Sequence, residues 1–332
     1  MISGRQHANS AEVKGPRAGV AGFVASGAVL AELLADPRRL GQPVGEDVLD
    51  EARALLEHTA REAVGAGGWT PDEPLRLAKG SVTSLLRCPR RALADPDLTD
   101  WGDLTDLALG LLVDAGTKLV TLGAAAPVDV ERACDFLAAS GEPRVRQHLD
   151  DIGVDAAASL LADASARLDP LVAAWPVIEG RWWPRVEEPA RVRLVGGAVV
   201  LSGKLDILLG GPPTGLPGLV VELKGGRWHD SVRQDGHLYA LLVGLRDGAA
   251  PAAVLSIAAA DGATQLEPIR AEVVLHAAER VAEAVETAAR LATGEAPEAR
   301  PGSYCGFCPV RATCPEGSAH IAAAAASALV TA

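Results

Sequence analysis

The sequence predicts an α/β domain with a mixed central sheet flanked by helices. Two observations predict it. From about residue 177 the pattern turns to short β-branched runs separated by Gly/Pro turns, while the chain on either side reads with helical period. After those strands come one helix and a further strand, the alternation that lays a helix against a sheet. At 332 residues the chain suffices for one large domain or two modest ones. Hydrophobic residues make up 48% of it but aromatics only 3%, so alanine and leucine, both strong helix formers, must fill the core.

The first 75 residues read as helices with Gly/Pro breaks, a helical N-terminal region. The stretch 18–31 is apolar and follows Lys14 and Arg17, a weak likeness to a secretory leader. Its Gly and Ala content makes a buried segment the better reading. No run of about 18 strongly apolar residues is present, so no membrane span is expected. Residues 46–64 form the clearest early helix, with Val48, Ala52, Leu55, Leu56 and Ala60 near helical spacing and Gly65-Ala66-Gly67-Gly68 at its end.

A short helix is expected over 81–87, with Ser81 as its cap and Pro89 stopping it after Cys88. Helices follow over 103–122, 128–139 and 156–168. Residues 192–195 and 198–201 read as a hairpin about Gly196-Gly197, followed by short strands at 204–209 and 219–223 with a Gly/Pro loop between them. Residues 231–245 return to helix, 253–258 form a strand with 264–269 as its partner, and 272–291 form a long helix.

The net charge of −12 does not suggest a nucleic-acid binder, although an acidic chain can carry a basic groove because binding follows local fields. Arginine far outnumbers lysine, of which there are five. Five cysteines, an odd number, argue against a disulfide framework. Cys88 stands alone, and Cys305, Cys308 and Cys314 follow as Cys-x2-Cys-x5-Cys. Four thiolates are the ligand set of an iron–sulfur cluster or a structural zinc. Free thiols of this kind point to a reducing, cytoplasmic compartment. Cys134 shares a helical face with Val130 and Leu137 and reads as a buried thiol.

Asp206 lies on one expected strand, and Glu222-Leu223-Lys224 end the next. Residues two apart on a strand face the same way, so Glu222 and Lys224 share a face while Leu223 turns into the core. Mg²⁺ takes oxygen ligands, which carboxylates and water supply, and a nearby lysine can steady charge on a phosphate. An isolated Glu-x-Lys is equally the mark of a solvated strand face or an ordinary ion pair. Asp114 lies seven residues after Leu107 and three after Leu111, on the apolar stripe of its helix, where a carboxylate needs a partner or a metal. A position on the helix rim is the bland alternative. His229, His237, Trp182, Trp183 and Trp228 could touch nucleic acid, but surface histidines and packed tryptophans account for them as well.

Taken in order, Ser84 to Arg91, Gly110 to Asp114, Gly203 to Asp206, Glu222 to Lys224, the Gln234/Tyr239 helix and the cysteine trio resemble the PD-(D/E)XK nuclease superfamily. More closely they resemble its RecB/AddB-type exonuclease domains with an iron–sulfur cluster, similar to CRISPR-associated iron–sulfur exonucleases. The resemblance runs over about 81–315. It implies a restriction-endonuclease-like core over 76–332, closed by a C-terminal clasp of Cys88, Cys305, Cys308 and Cys314 on a 4Fe–4S cluster. It implies Asp206 and Glu222 as ligands of Mg²⁺ or Mn²⁺, Lys224 as the catalytic lysine, and Asp114 as a further metal ligand. Gln234 and Tyr239 become candidate DNA contacts. The family's first motif offers histidine or glutamate where this chain has Asp114. Its helix carries Gln-x3-Tyr, whereas Gln234 precedes Tyr239 by five and Asp235 takes the expected place.

The implied function is a metal-dependent DNA nuclease, an exonuclease on single strands or ends. The alternative is an inactive nuclease fold kept as a DNA-binding or scaffold subunit. With no Gly-x4-Gly-Lys-Ser/Thr motif, a helicase or other partner would open duplex DNA.

Overall fold

A computed structural model describes residues 17–93, 104–124, 128–224, 228, 230–258 and 262–330, with backbone alone for 17–24, 230 and 328–330. Helix α1 (Arg17–Ala35) covers the apolar N-terminal stretch and buries Leu30, Leu33 and Leu34, as expected of a packed segment. Helix α2 (Glu46–Gly67) begins on Glu46 and Asp47, whose charges suit a helix N-terminus. It ends at Gly68, a left-handed residue with φ +72° whose N–H bonds to the Val64 carbonyl.

Strand β1 (Leu75–Ala78) runs straight into α3 (Lys79–Arg87). Ser81 therefore lies inside the first turn and does not cap the helix. Cys88 breaks α3 in extended backbone, and Pro89 opens the single turn α4 (Pro89–Ala92), where its missing N–H costs nothing.

Four helices pack on one another next. They are α5 (Thr105–Thr121), α6 (Val130–Ala139), α7 (Arg144–Asp151) and α8 (Val154–Ala174). Leu109, Leu112, Ala133, Cys134, Leu149 and Leu168 share their core, so Cys134 is the buried thiol expected. Helix α7 was not apparent in the sequence, and α8 continues past 168 through Pro170.

The sheet strands are β2 (Arg185–Leu194), β3 (Val199–Gly211), β4 (Leu216–Lys224), β5 (Ala253–Ala258) and β6 (Thr264–Pro268). Helix α9 (Asp230–Asp247) crosses from β4 to the parallel β5, and α10 (Ala271–Ala292) follows β6. Helix α11 (Pro315–Val330) closes the described chain. The two strands expected at 198–201 and 204–209 are one continuous β3. The result is the mixed sheet predicted, with six strands among the described residues.

Strand β3 organises that sheet. Along one edge it pairs with β2, antiparallel, from Leu194↔Val199 to Arg185↔Leu208. Along the other edge two strands share it end to end. Parallel β1 pairs with 199–202, and antiparallel β4 pairs from Ile207 onward. Both shorter strands stop facing residues 203–206, so their C-terminal ends converge on a gap in the ladder.

One sheet face packs against α2, α9 and α10 through residues such as Leu56, Leu201, Leu241 and Val281. The other packs against α1, with Val113 of α5 and Leu171 of α8 joining Ile207, Val221 and Leu223. Trp182 is fully buried in this second core, whereas Trp183 is half-exposed beneath the Arg185 guanidinium, 4.2 Å from its ring centre. Among the described residues no helix is long and apolar enough to cross a membrane.

Candidate active site

The gap beside β3 gathers the charged side chains. At residue 206 the β1 and β4 ladders have both ended, so the Leu223 N–H finds no strand carbonyl. It donates instead to Asp206 Oδ2 at 2.8 Å. Gly203 lets the sheet close here, because a Cβ on it would come within 2.7 Å of the Tyr239 ring.

Two ionic groups meet at Asp206. On the α5 side, Lys118 donates to Asp206 Oδ1 at 2.9 Å, to Asp114 Oδ2 at 2.6 Å and to Glu187 Oε1. Its side chain is only 3% exposed. Glu187 lies across the ladder from Asp206, bracketed by the pairs Val186↔Ile207 and Glu188↔Leu205. Like charges facing each other on adjacent strands repel. Glu187 also has φ +54°, a left-handed backbone for a residue with a Cβ. Such strain costs about 1–3 kcal/mol and persists only where the surroundings enforce it. Lys118, bonded to both carboxylates, offsets the repulsion.

On the α9 side, Glu222 is 1% exposed and its Oε1 accepts from both Lys79 (3.2 Å) and Lys224. Asp235 Oδ2 lies 3.3 Å from Lys79 Nζ and 3.4 Å from Lys224 Nζ, so two carboxylates bracket two ammonium groups. Lys79 also sits 5.1 Å from the centre of the Tyr239 ring. Leu223, between Glu222 and Lys224, turns to the opposite core, as strand alternation requires.

Burial raises the Asp114 carboxyl to about 8 and the Glu222 carboxyl to about 7, with the charge of Asp206 adding to each. Burial also pushes Asp206 upward, but Lys118, Lys224 and the Leu223 N–H outweigh it and hold Asp206 below its ordinary value. Burial disfavours the charged forms of Lys79 and Lys118, yet their carboxylate partners raise both above the usual lysine range.

Two buried oxygens in this cluster, Asp114 Oδ1 and Glu222 Oε2, have neither a hydrogen-bond nor an ion-pair partner, whereas Glu187 Oε2 has only the Lys204 ammonium. A buried polar atom left so is costly. The cluster opens on a groove of about 1690 Å³, open solvent included, lined also by Asp106, Leu107, Gly110, Arg191, Ser202 and Lys204.

Asp114, Asp206, Glu222 and Lys224 line one groove, and the carboxylates with oxygens within 4.8 Å of one another are Asp114, Glu187 and Asp206. Gln234 is exposed and lines a separate hollow with Thr83, Asp235 and Arg280. Tyr239 is 3% exposed and packs under Gly203. His237 is mostly buried with Nε2 2.9 Å from Glu267, so it is not the surface histidine expected. His229 lies outside the described residues. Sequence reasoning missed Lys79, Lys118 and Glu187, and noted Asp235 only as taking the place where the resemblance expects glutamine. The signal was there: four of only five lysines gather in this cluster, with Lys204 on Glu187.

Cys88, Cys305, Cys308 and Cys314 line one hollow with Arg90, Tyr304 and Gly317. Amide groups of Gly302 and Gly317 donate to the sulfurs of Cys305 and Cys314 at 3.4 Å, and the Arg90 guanidinium lies 3.6 Å from Cys314 Sγ. A Cβ on Gly317 would sit 3.4 Å from the sulfurs of both Cys305 and Cys314. Among the described residues no three cysteine sulfurs lie within 4.8 Å of one another. Protein contacts tie the same segments. Tyr304 Oη donates to the Arg87 carbonyl at 2.9 Å, Arg300 to the Leu86 carbonyl at 3.0 Å, and Arg90 pairs with Glu316 at 2.7 Å.

A family model for the PD-(D/E)XK nuclease superfamily matches residues 76–315. No curated protein matches. Among solved structures, one described as "Crystal structure of SSO0001" is similar at 15% identity and a TM-score of 0.32, over 79% of this chain and 95% of that one.

The raised carboxyls set a pH dependence. Above the ordinary values of 3.8 and 4.5 the unfolded chain has released protons that the metal-free folded protein still holds on Asp114 and Glu222. Stability in EDTA should therefore fall as pH rises from about 4.5 to about 8. Urea midpoints across that window check it, and the fall should be shallower in the Asp114→Asn/Glu222→Gln double variant. A midpoint that climbs through the window, or an equal fall in the double variant, contradicts it.

Proposed function

The chain belongs to the PD-(D/E)XK nuclease superfamily, and from that premise we propose that it is a divalent-metal-dependent DNA nuclease, an exonuclease acting on single strands or free ends. One observation carries the reading: Asp114 Oδ1 and Glu222 Oε2 are buried and unpartnered in the cluster that Asp206 joins, beside Lys224. Unpaired carboxylate oxygens fit a hard cation such as Mg²⁺ or Mn²⁺. Asp206, Glu222 and Asp114 would hold it. A bound ion would polarise the phosphodiester and lower the pKa of the attacking water.

The protein's own groups supply the rest. Lys224, held between Glu222 and Asp235, places its ammonium where charge develops on the phosphate. Lys79 makes the same two contacts and is steadied over Tyr239. Exposed Arg191 and Lys204 on the groove rim suit a phosphate backbone, which offsets the acidic net charge locally. Gln234, being exposed, can touch a strand entering past α9. Tyr239 is buried and would act through Lys79. Asp235, in the place where the resemblance expects glutamine, pairs with Lys79 and Lys224.

The four cysteines are proposed to hold a 4Fe–4S cluster. The N–H donors aimed at Cys305 and Cys314 suit the thiolates of such a cluster. The cluster would clasp the Cys88 segment to the C-terminal loop in a reducing, cytoplasmic setting. A helicase or comparable partner would supply single strands from duplex DNA.

Two measurements test the proposal. With Mn²⁺, the protein should degrade end-labelled single-stranded DNA, and folded Lys224→Ala should be slower by about 10²-fold or more. Cleavage at the same rate in both proteins would remove the nuclease reading. Anaerobically purified protein should contain iron and acid-labile sulfide with broad visible absorbance, both lost in Cys308→Ser. A colourless protein with stoichiometric zinc would contradict the cluster.

A further inference from the structure

Lys118 is the most deeply buried ammonium in the cluster, and the reaction just described gives it no task. A lysine ammonium has three protons to donate and accepts nothing. Lys118 has three acceptors, one each from Asp114, Asp206 and Glu187, so its bonding is closed. One oxygen from each of these carboxylates lies within 4.8 Å of the other two, a spacing that suits a single cation among them. The cation present is the lysine.

We propose that Lys118 is a tethered cation occupying the position a second divalent ion would otherwise take, so that this is a one-ion centre. The inference rests on the metal-dependent reading above. Three further observations support it. Glu187 faces Asp206 across the ladder, a like-charge pairing that Lys118, bonded to both carboxylates, offsets. Expelling Lys118 would leave a buried ammonium without acceptors, which opposes its displacement by an incoming ion. Of the oxygens Lys118 leaves on its partners, Asp206 Oδ2 is taken by the Leu223 N–H and Glu187 Oε2 faces Lys204, so Asp114 Oδ1 stays unpaired, as does Oε2 of neighbouring Glu222. Lys118 thus acts as a positioning residue. It fixes one oxygen each of Asp114 and Asp206 and leaves the remaining unpaired oxygens to one ion.

Mn²⁺ titration of the full chain, followed by calorimetry and by the electron paramagnetic resonance of free Mn²⁺, tests this. The wild type should bind one Mn²⁺ per chain and Lys118→Met two. The variant should also gain more thermal stability from Mn²⁺ than the wild type does. Two ions on the wild type, or one on folded Lys118→Met, overturns the inference and leaves the nuclease reading intact. No binding to the wild type removes both. If Lys118→Met unfolds without metal, recovery of its fold by Mn²⁺ supports the tethered-cation role, and failure to recover overturns it.

Discussion

Asp206 sits where β3 has lost β1 and not yet joined β4, and the candidate site depends on that gap. The two shorter strands bring Lys79 and Glu222–Lys224 to it from opposite directions, one from the end of a parallel strand and one from the end of an antiparallel strand. Taking charges out of water costs several kcal/mol per ion, and the cost is met only where each charge finds partners. Here the partners are shared: Lys118 serves three carboxylates, and Glu222 and Asp235 share Lys79 and Lys224. Two carboxylate oxygens are left over. A protein selected for stability alone gains nothing by burying them, whereas a cation-binding site requires them.

The scaffold holds the cluster from three sides. Helix α5 presents Asp114 and Lys118 one turn apart, and α8 presses on α5 so closely that a Cβ on Gly116 would meet Leu168 at 2.3 Å. Helix α9 brings Asp235 and Tyr239, and α3 starts at Lys79. The cysteine hollow lies at the far end of α3, so whatever the four sulfurs hold bears on the same helix that positions Lys79. Tyr304, Arg300 and Arg90 already join these segments through protein contacts. A clasp there would reinforce an interface and would not be its sole support.

Much of this was legible in the sequence. The helical and strand periods placed nearly every long element, because amphipathic patterning reports which face is buried. Strand β1 escaped because four residues, Leu75 to Ala78, are too few to show alternation. Asp114 and Lys118 stand four apart, the spacing of a helical ion pair, but nothing in that spacing shows a pair that is buried. Glu187 was nearer to hand. The hairpin about Gly196-Gly197 already fixes a register in which Asp206 faces Glu187, once the two strands are read as continuous. Asp235 and Gln234 show the opposite limit, since which of two neighbours faces the lysines depends on how α9 packs.

The central claim is that a divalent ion belongs among Asp114, Asp206 and Glu222. Anomalous diffraction from crystals of the protein soaked in Mn²⁺ tests it most directly. The account predicts one Mn²⁺ peak at coordinating distance from carboxylate oxygens of Asp206 and Glu222, with Lys118 still bonded to Glu187. A peak elsewhere on the chain, or none at saturating Mn²⁺, would contradict it.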